Sequence, residues 1–212
     1  EPTSTEKPPP PACRRLAANG TAVTPTLNGS RVVAYLDEDD HAGDDYLRYI
    51  GPGLQATYAW RVGRAAKDDA EAIARRHARF ERQAAILPLL QAAGVQIMAG
   101  TDAGFLNSFN YPGVGLHDEL DLFVRYGLTP LQALQAATVN GARFLGQADT
   151  HGMLAPGRAA DVVLLRADPV TDIRAVRAID TVILQGRVHD RAALDAMLED
   201  VRVRVAAMPA VP

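Results

Sequence analysis

The sequence predicts an α/β fold, parallel strands joined through helices, followed by a small β unit of its own. Three observations carry this. The β-branched run Thr21 to Leu27 and the apolar run at 95–100 flank a long helix-patterned stretch. Strand, helix, strand in that order implies a parallel pair. From Gly152 the texture changes to strand-like runs punctuated by Gly and Pro, "GMLAPGRAADVVLLRADP" and "AIDTVILQGRVHD". Strands near 161–166 and 180–187 are therefore expected to pair with each other, away from the first pair.

The elements follow in order. "EPTSTEKPPPPA" is Pro-rich and without period, and reads as a linker or loop over 1–13. "CRRLAANG" reads as a helix end stopped by Gly20, and the strand 21–27 is bounded by Pro25 and Gly29. Residues 28 to 67 read as irregular, with the acidic run "DEDDHAGDD" a solvated surface loop and "GPG" a turn. From Asp68, the residues Ile73, Phe80, Leu87 and Leu90 fall near one helical face, Gly94 stops the helix, and Pro88 should kink it. After the strand 95–100, a short helix is expected over Asp118 to Tyr126. "TPLQALQAATVNGARFLG" opens with Thr129 as N-cap and Pro130 at the first helical position. A last helix starts from Asp190, with Leu194, Met197, Leu198, Val201 and Val205 spaced for one face.

Bulk properties exclude several classes. The chain has 212 residues, enough for one large domain or one and part of another, and 48% of them are apolar. A net charge of −3 gives no electrostatic case for nucleic acid or an anionic membrane. No apolar run approaches the roughly 18 residues of a membrane span. The single cysteine, Cys13, excludes an intramolecular disulfide framework. The N-terminus is neither basic nor apolar, so it shows no signal peptide. The expected partner is a small-molecule substrate, with homo-oligomerisation left open and no cellular location readable.

One stretch raises a chemical question. "GVQIMAGTDAG" reads as a buried strand that ends in a carboxylate, Asp102, among small residues. In parallel sheets ligands gather at the carboxyl ends of strands. Asp102 sits there, and Gly100, Ala103 and Gly104 leave room for something to approach. The structural alternative is an Asx-turn or N-cap that closes the strand.

"GVQIMAGTDAG", "PGVGLHDELDLFVRYGLTPLQALQAATVNGARFLG" and "GMLAPGRAADVVLLRADPVTDI" occur in this order. The ordered set resembles the C-terminal part of the amidohydrolase superfamily, in particular its imidazolonepropionase-like and Xaa-Pro-dipeptidase-like members. The likeness runs over about residues 94–190, and "ANGTAVTPTL" extends it back to about Arg14. It implies a metal-dependent hydrolase on a (β/α)8 barrel with a small β-sandwich domain. On that reading 14–150 hold the last barrel strands and helices, 151–190 a β-sandwich segment, and 191–212 the C-terminal helix and tail. The resemblance gives Asp102 two roles, ligand to a divalent metal, usually zinc, present as one or two ions, and general base toward the attacking water. A metal lowers the pKa of bound water toward about 7, and a nearby carboxylate can take its proton and return it to the leaving nitrogen.

The chain departs from the family elsewhere. The family's other ligands are a His-x-His pair, a Lys or Glu, and further histidines on earlier strands. Here the histidines are His41, His77, His117, His151 and His189, and no two form His-x-His. A full barrel needs about 250 residues, so the chain is expected to hold one metal ligand and to be inactive alone. His117, in "GLHDEL", is a candidate substrate-binding residue, weighed against a loop-bracing role. Glu119 reads as a first-turn helix carboxylate rather than a catalytic acid, and His77 as a solvated helix residue. Asn107, Asn110 and Tyr111 lie in the loop after Asp102, where barrels shape specificity. Two functions stay open. One is part of a metal-dependent amidohydrolase cleaving a C–N bond in a cyclic amide or dipeptide-like substrate. The other is a non-catalytic remnant or interaction module.

Overall fold

Helix caps and breakers divide the chain much as its sequence suggests, with one large exception between residues 28 and 67. The structure is a computed structural model and describes residues 8–104 and 108–210. Helix α1 (Pro11–Ala18) leads into strand β1 (Ala22–Val23), and the stretch from α2 (Leu27–Ala34) through a 3-10 turn (Asp45–Tyr49) to α3 (Pro52–Ala65) follows. Then come α4 (Ala70–Ala84), α5 (Leu87–Ala92) and strand β2 (Gln96–Ile97). After β2 lie α6 (Val114–Arg125), α7 (Pro130–Ala137) and α8 (Val139–Phe144). The C-terminal part is β3 (Val162–Leu165), a second 3-10 turn (Ile173–Arg177), β4 (Ile179–Leu184), β5 (Arg187–His189) and α9 (Arg191–Ala206).

Strands β1 and β2 are parallel neighbours, with Ala22 opposite Gln96 and Val23 opposite Ile97. Strands β3, β4 and β5 form a separate antiparallel sheet. The expected second strand of that unit, 180–187, is in fact a hairpin. Gln185 and Gly186 both take positive φ, 50° and 77°, as a tight two-residue turn demands, and Asp161 accepts the Gln185 N–H at 2.7 Å.

The parallel strands are shorter than the sequence pattern suggests. β1 ends at Val23 because Pro25 and a left-handed Thr26 (φ 49°) turn the chain into α2. β2 ends at Ile97 because α7 and α8 take over its hydrogen bonds. Asn140 donates to the Ile97 carbonyl at 2.8 Å, and Ala99 N–H reaches the Ala136 carbonyl at 2.9 Å.

Residues 28–67 are not an irregular surface segment. Gly29, Ser30 and the β-branched Val32 and Val33 make α2 a weak helix by propensity. Packing against α4 and α6 overrides that, and Leu27, Asn28, Gly29, Val32 and Ala34 are buried. "GPG" opens α3, with Pro52 in its first turn. Val32, Leu36, Ile50, Tyr58, Phe109 and Tyr111 form a second apolar cluster beneath this segment. The acidic run is tied down as well. Asp44 accepts the Tyr111 hydroxyl at 2.7 Å and pairs with His41 at 2.9 Å. Asp37 pairs with Arg76 and, at 3.0 Å, with His77. His77 is therefore no free surface residue, since its ring also stacks on Tyr35 with centroids 4.1 Å apart.

The main core gathers Phe80, Ala84, Leu87, Leu90, Val95 and Ile97 with Leu120, Phe123, Ala133 and Ala136. The helix from residue 70 breaks before Pro88, which sits in the first turn of α5. Thr129 and Gln132 form a reciprocal capping box on α7, with bonds of 3.2 and 2.8 Å. The continuous helix suggested from Thr129 is interrupted at Thr138. Asp190 caps α9, but no α9 residue is buried, and Met197, Leu198 and Val201 remain 41–48% exposed.

Candidate active site

Asp102 follows β2 on the carboxyl side of the parallel pair, as its place in the sequence requires. It is exposed and lies at φ 52°, a left-handed conformation that Asp tolerates better than most residues. Thr101 shapes the turn, because its hydroxyl accepts the Ala103 N–H at 3.3 Å. Gly100 has a use other than leaving room for a ligand. A Cβ there would stand 2.7 Å from the Thr24 methyl, so the glycine lets the tails of β1 and β2 pass.

Asp102 lines a cleft of about 580 Å³ together with Thr26, Ser30, Arg61, Arg64 and Arg79. Arg76 lines it too, but is neutralised by Asp37 at 3.3 Å and Asp68 at 3.1 Å.

Behind the cleft is a buried polar chain. Glu119, in α6, accepts the backbone N–H groups of Leu27 at 2.9 Å and Asn28 at 2.6 Å. The Asn28 side-chain amide donates to Oδ1 of Asn110 at 2.9 Å, and Asn110 in turn donates to the Thr101 carbonyl. Glu119 and Asn110 are 0% exposed. Burial pushes the Glu119 carboxyl up from 4.5 to about 7, against the pull of its two backbone donors.

Glu119 therefore does not lie in the first turn of a helix. The helix begins at Val114, four residues earlier than the sequence suggests, which puts Glu119 in its second turn. One signal for this was present. Gly115, Glu119, Leu122 and Phe123 share the buried face of α6, so the carboxylate falls on the apolar stripe. Asn28 gave no such signal, because its role depends on contacts more than 80 residues away.

His117 is half-buried in α6 and does not line the cleft that holds Asp102. Burial and the nearby Arg177 lower its pKa, with Asp118 opposing them. Asn110 and Tyr111 both brace the loop from inside. Tyr111 packs beside Tyr58, and its hydroxyl is spent on Asp44. Asn107 lies outside the described residues.

The ligand set can be tested against a divalent metal. Among the described residues, two groups bring three ligand side chains together: Asp37, Glu38 and His77, and Asp39, His41 and Asp44. Asp102 belongs to neither. A closed or catalytic metal site needs three or four protein ligands, so these residues do not make one around Asp102. Among the described residues, Asp102 stands in no cluster of three ligand side chains.

Comparison with known proteins gives this geometry its context. The sequence model of the Amidohydrolase family matches residues 60–189. Adenine deaminase 2 of Rhizobium meliloti is 48% identical over 79 residues, which cover 37% of this chain and 13% of that protein. Imidazolonepropionase of Cupriavidus necator is 34% identical over 111 residues, covering 49% of this chain and 25% of that protein. The solved structure of the bottromycin amidohydrolase aligns with a TM-score of 0.71 at 24% identity, over 90% of this chain and 41% of that one. At that identity the likeness speaks for the fold alone. The chain spans a quarter or less of the length of both sequence relatives.

Proposed function

Because the chain belongs to the amidohydrolase family, we propose that it serves as the C-terminal part of a hydrolase that cleaves a C–N bond, with Asp102 as the proton-accepting carboxylate. The observation that carries this reading is the position of Asp102. The end of a strand in a parallel pair delivers it to an open cleft, on a turn held by the hydrogen bond from the buried Asn110 to the Thr101 carbonyl. An Asx-turn that merely closed a strand would need no cleft.

In the proposed reaction, a water oxygen bonds to the substrate's carbonyl carbon and its proton passes to the Asp102 carboxylate. The C–N bond then breaks as that proton moves to the nitrogen, leaving a carboxylic acid and an amine. General base help of this kind contributes on the order of 10²–10⁴ in rate. The substrate class is a cyclic amide or a dipeptide-like amide. The metal of the resemblance, zinc, would take Asp102 as one ligand and the rest from outside the described residues. The barrel and β-sandwich assignments of 14–150 and 151–190 belong to the same proposal. The parallel pair and the separate antiparallel sheet support them.

The test is to express the complete reading frame that contains this chain and assay it, zinc-loaded, on cyclic amides and dipeptides. Turnover that a chelator abolishes supports the reading. A zinc-loaded, folded protein that opens no C–N bond across that panel would favour the second reading, a non-catalytic module. For the chain by itself, that second reading is supported by the position of Asp102 outside both three-ligand clusters among the described residues.

A further inference from the structure

We propose that Glu119 is a positioning residue of the candidate active site, its buried carboxylate setting the turn that carries Asp102 through Asn28 and Asn110. The functional meaning of this proposal rests on the reading of Asp102 given above; the relay itself rests on geometry alone.

The N-terminus of α2 is the first link. A helix start leaves backbone N–H groups without intrahelical partners. A residue at the N-cap usually serves them. Here the N-cap residue, Thr26, is held left-handed and makes no side-chain cap. Glu119 does that work from another helix, one oxygen on Leu27 and the other on Asn28. A carboxylate suits the positive end of the α2 dipole. It also fixes the direction of α2 relative to α6.

The second link is the pair of amides. With its backbone pinned, Asn28 presents its side chain to Asn110, and Asn110 reaches the carbonyl of Thr101, the residue before Asp102. Gly115 makes room for this, since a Cβ there would run into Asn110 Oδ1 and stand 3.2 Å from Asn28 Nδ2. Thr26, Gly29 and Ser30 line the same cleft as Thr101 and Asp102. The chain from Glu119 thus sets two walls of one cleft against each other.

Charge makes this more than a structural brace. A buried carboxylate without a cation is costly, and none of the charged groups around α6 pairs with Glu119 among the described contacts. On α6 itself, His117 is half-buried, Asp118 pairs with Arg177, Asp121 lies within reach of the Arg174 charge, and Arg125 sits 5.8 Å over the Tyr126 ring. On the 3-10 turn packed against α6, Arg174 pairs with Asp172. On α2, Arg31 lies 5.3 Å over the Tyr35 ring, and α7 carries no charged residue. Glu119 therefore answers to burial and to its two N–H donors. A change in its protonation alters the hold on Leu27 and Asn28, and the amide chain passes that change to Thr101.

The test is a pH titration of backbone amide NMR shifts in this chain. It is run in an Asp102→Asn background so that the Asp102 carboxyl adds nothing. Leu27, Asn28, Thr101 and Ala103 should share one inflection near pH 7. Glu119→Gln should remove it at all four. Asn110→Ala should leave it at Leu27 and Asn28 and abolish it at Thr101 and Ala103. A brace that ends at Leu27 and Asn28 gives a different result. Thr101 and Ala103 would then be silent throughout, or would keep their inflection in Asn110→Ala, and either outcome overturns the relay. If Glu119→Gln does not fold, the parent and Asn110→Ala decide the matter. No turnover is measured, so the hydrolase reading and the relay can fail separately.

Discussion

Gly115 packs so closely on the side chain of Asn110 that a Cβ at position 115 would overlap Asn110 Oδ1. This makes Gly115 an exception to a common rule. Ala in place of Gly inside a helix normally stabilises by roughly 1 kcal/mol. Here Asn28 and Asn110 are both buried and bonded to each other, so neither can give way without losing a partner. Gly115→Ala should destabilise the chain by about 1–3 kcal/mol, the usual cost of overpacking. Urea unfolding midpoints measure it, and an Ala variant as stable as the parent would mean that the pair of asparagines yields freely.

Glu119 should leave a mark on stability against pH. Its folded pKa, about 7, lies above the 4.5 of a free carboxyl. The folded state therefore binds the proton more tightly than the unfolded one. The stability this contributes is fully present below pH 4.5 and is lost as pH rises through about 7. Such a shift corresponds to about 3 kcal/mol at 1.36 kcal/mol per unit. His117 acts the other way at the acid end, because its pKa is lowered and folding loses its support as pH falls. Comparison with Glu119→Gln isolates the carboxylate. The parent should lose stability relative to the Gln variant between pH 5 and pH 8, and parallel curves would contradict the burial of a titrating group at 119.

The chain alone should hold zinc only weakly and hydrolyse nothing. Asp102 belongs to no cluster of three ligand side chains among the described residues, and the two such clusters elsewhere are composed of exposed or half-buried side chains. In one of them Asp37 is already engaged. Partial burial works against its charge, but the hydrogen bond from His77 and the charges of His77 and Arg76 hold its carboxyl below the usual range. A metal there would have to displace those partners. Elemental analysis of the chelator-washed chain should find well under one zinc per chain, and a stoichiometric ion would contradict this.

Local signals were enough to read much of this molecule. The N-cap at Thr129, the helix start at Asp190 and the interruption just before Pro88 each arise within a few residues, and each shows in the sequence. So does the parallel order of β1 and β2, which follows from the helices between them. The stretch from 28 to 67 was opaque for the opposite reason. Gly29 and the valines of α2 oppose helix by propensity, and α4 and α6 enforce it from a distance. The site divides in the same way. Asp102 was legible because a carboxylate at a strand end is a local pattern. Asn28 was not, since its partners Glu119 and Asn110 lie far along the chain. Glu119 stood between the two, visible as a charge on an apolar stripe but easily taken for a first-turn residue when the helix start is placed too late.

The sharpest expectation concerns Asp102→Asn in the complete protein. The backbone at 102 is left-handed, φ 52°, and most replacements would strain it. Asn is among the non-glycine residues best suited to that conformation, so the turn and the Asn110 bond to Thr101 should survive. Asn also keeps a carbonyl oxygen in place of the carboxylate. What it loses is the negative charge and the ability to take a proton from water. If Asp102 is the proton acceptor, kcat should fall by on the order of 10²–10⁴, with unfolding midpoints nearly unchanged. If Asp102 serves only the turn, Asn makes the same local backbone bonds and kcat should stay near that of the parent. Measuring kcat for both proteins on one accepted amide, with urea midpoints as the control, separates the two. A near-parental kcat would return Asp102 to the backbone and remove the proposed chemistry from this strand end.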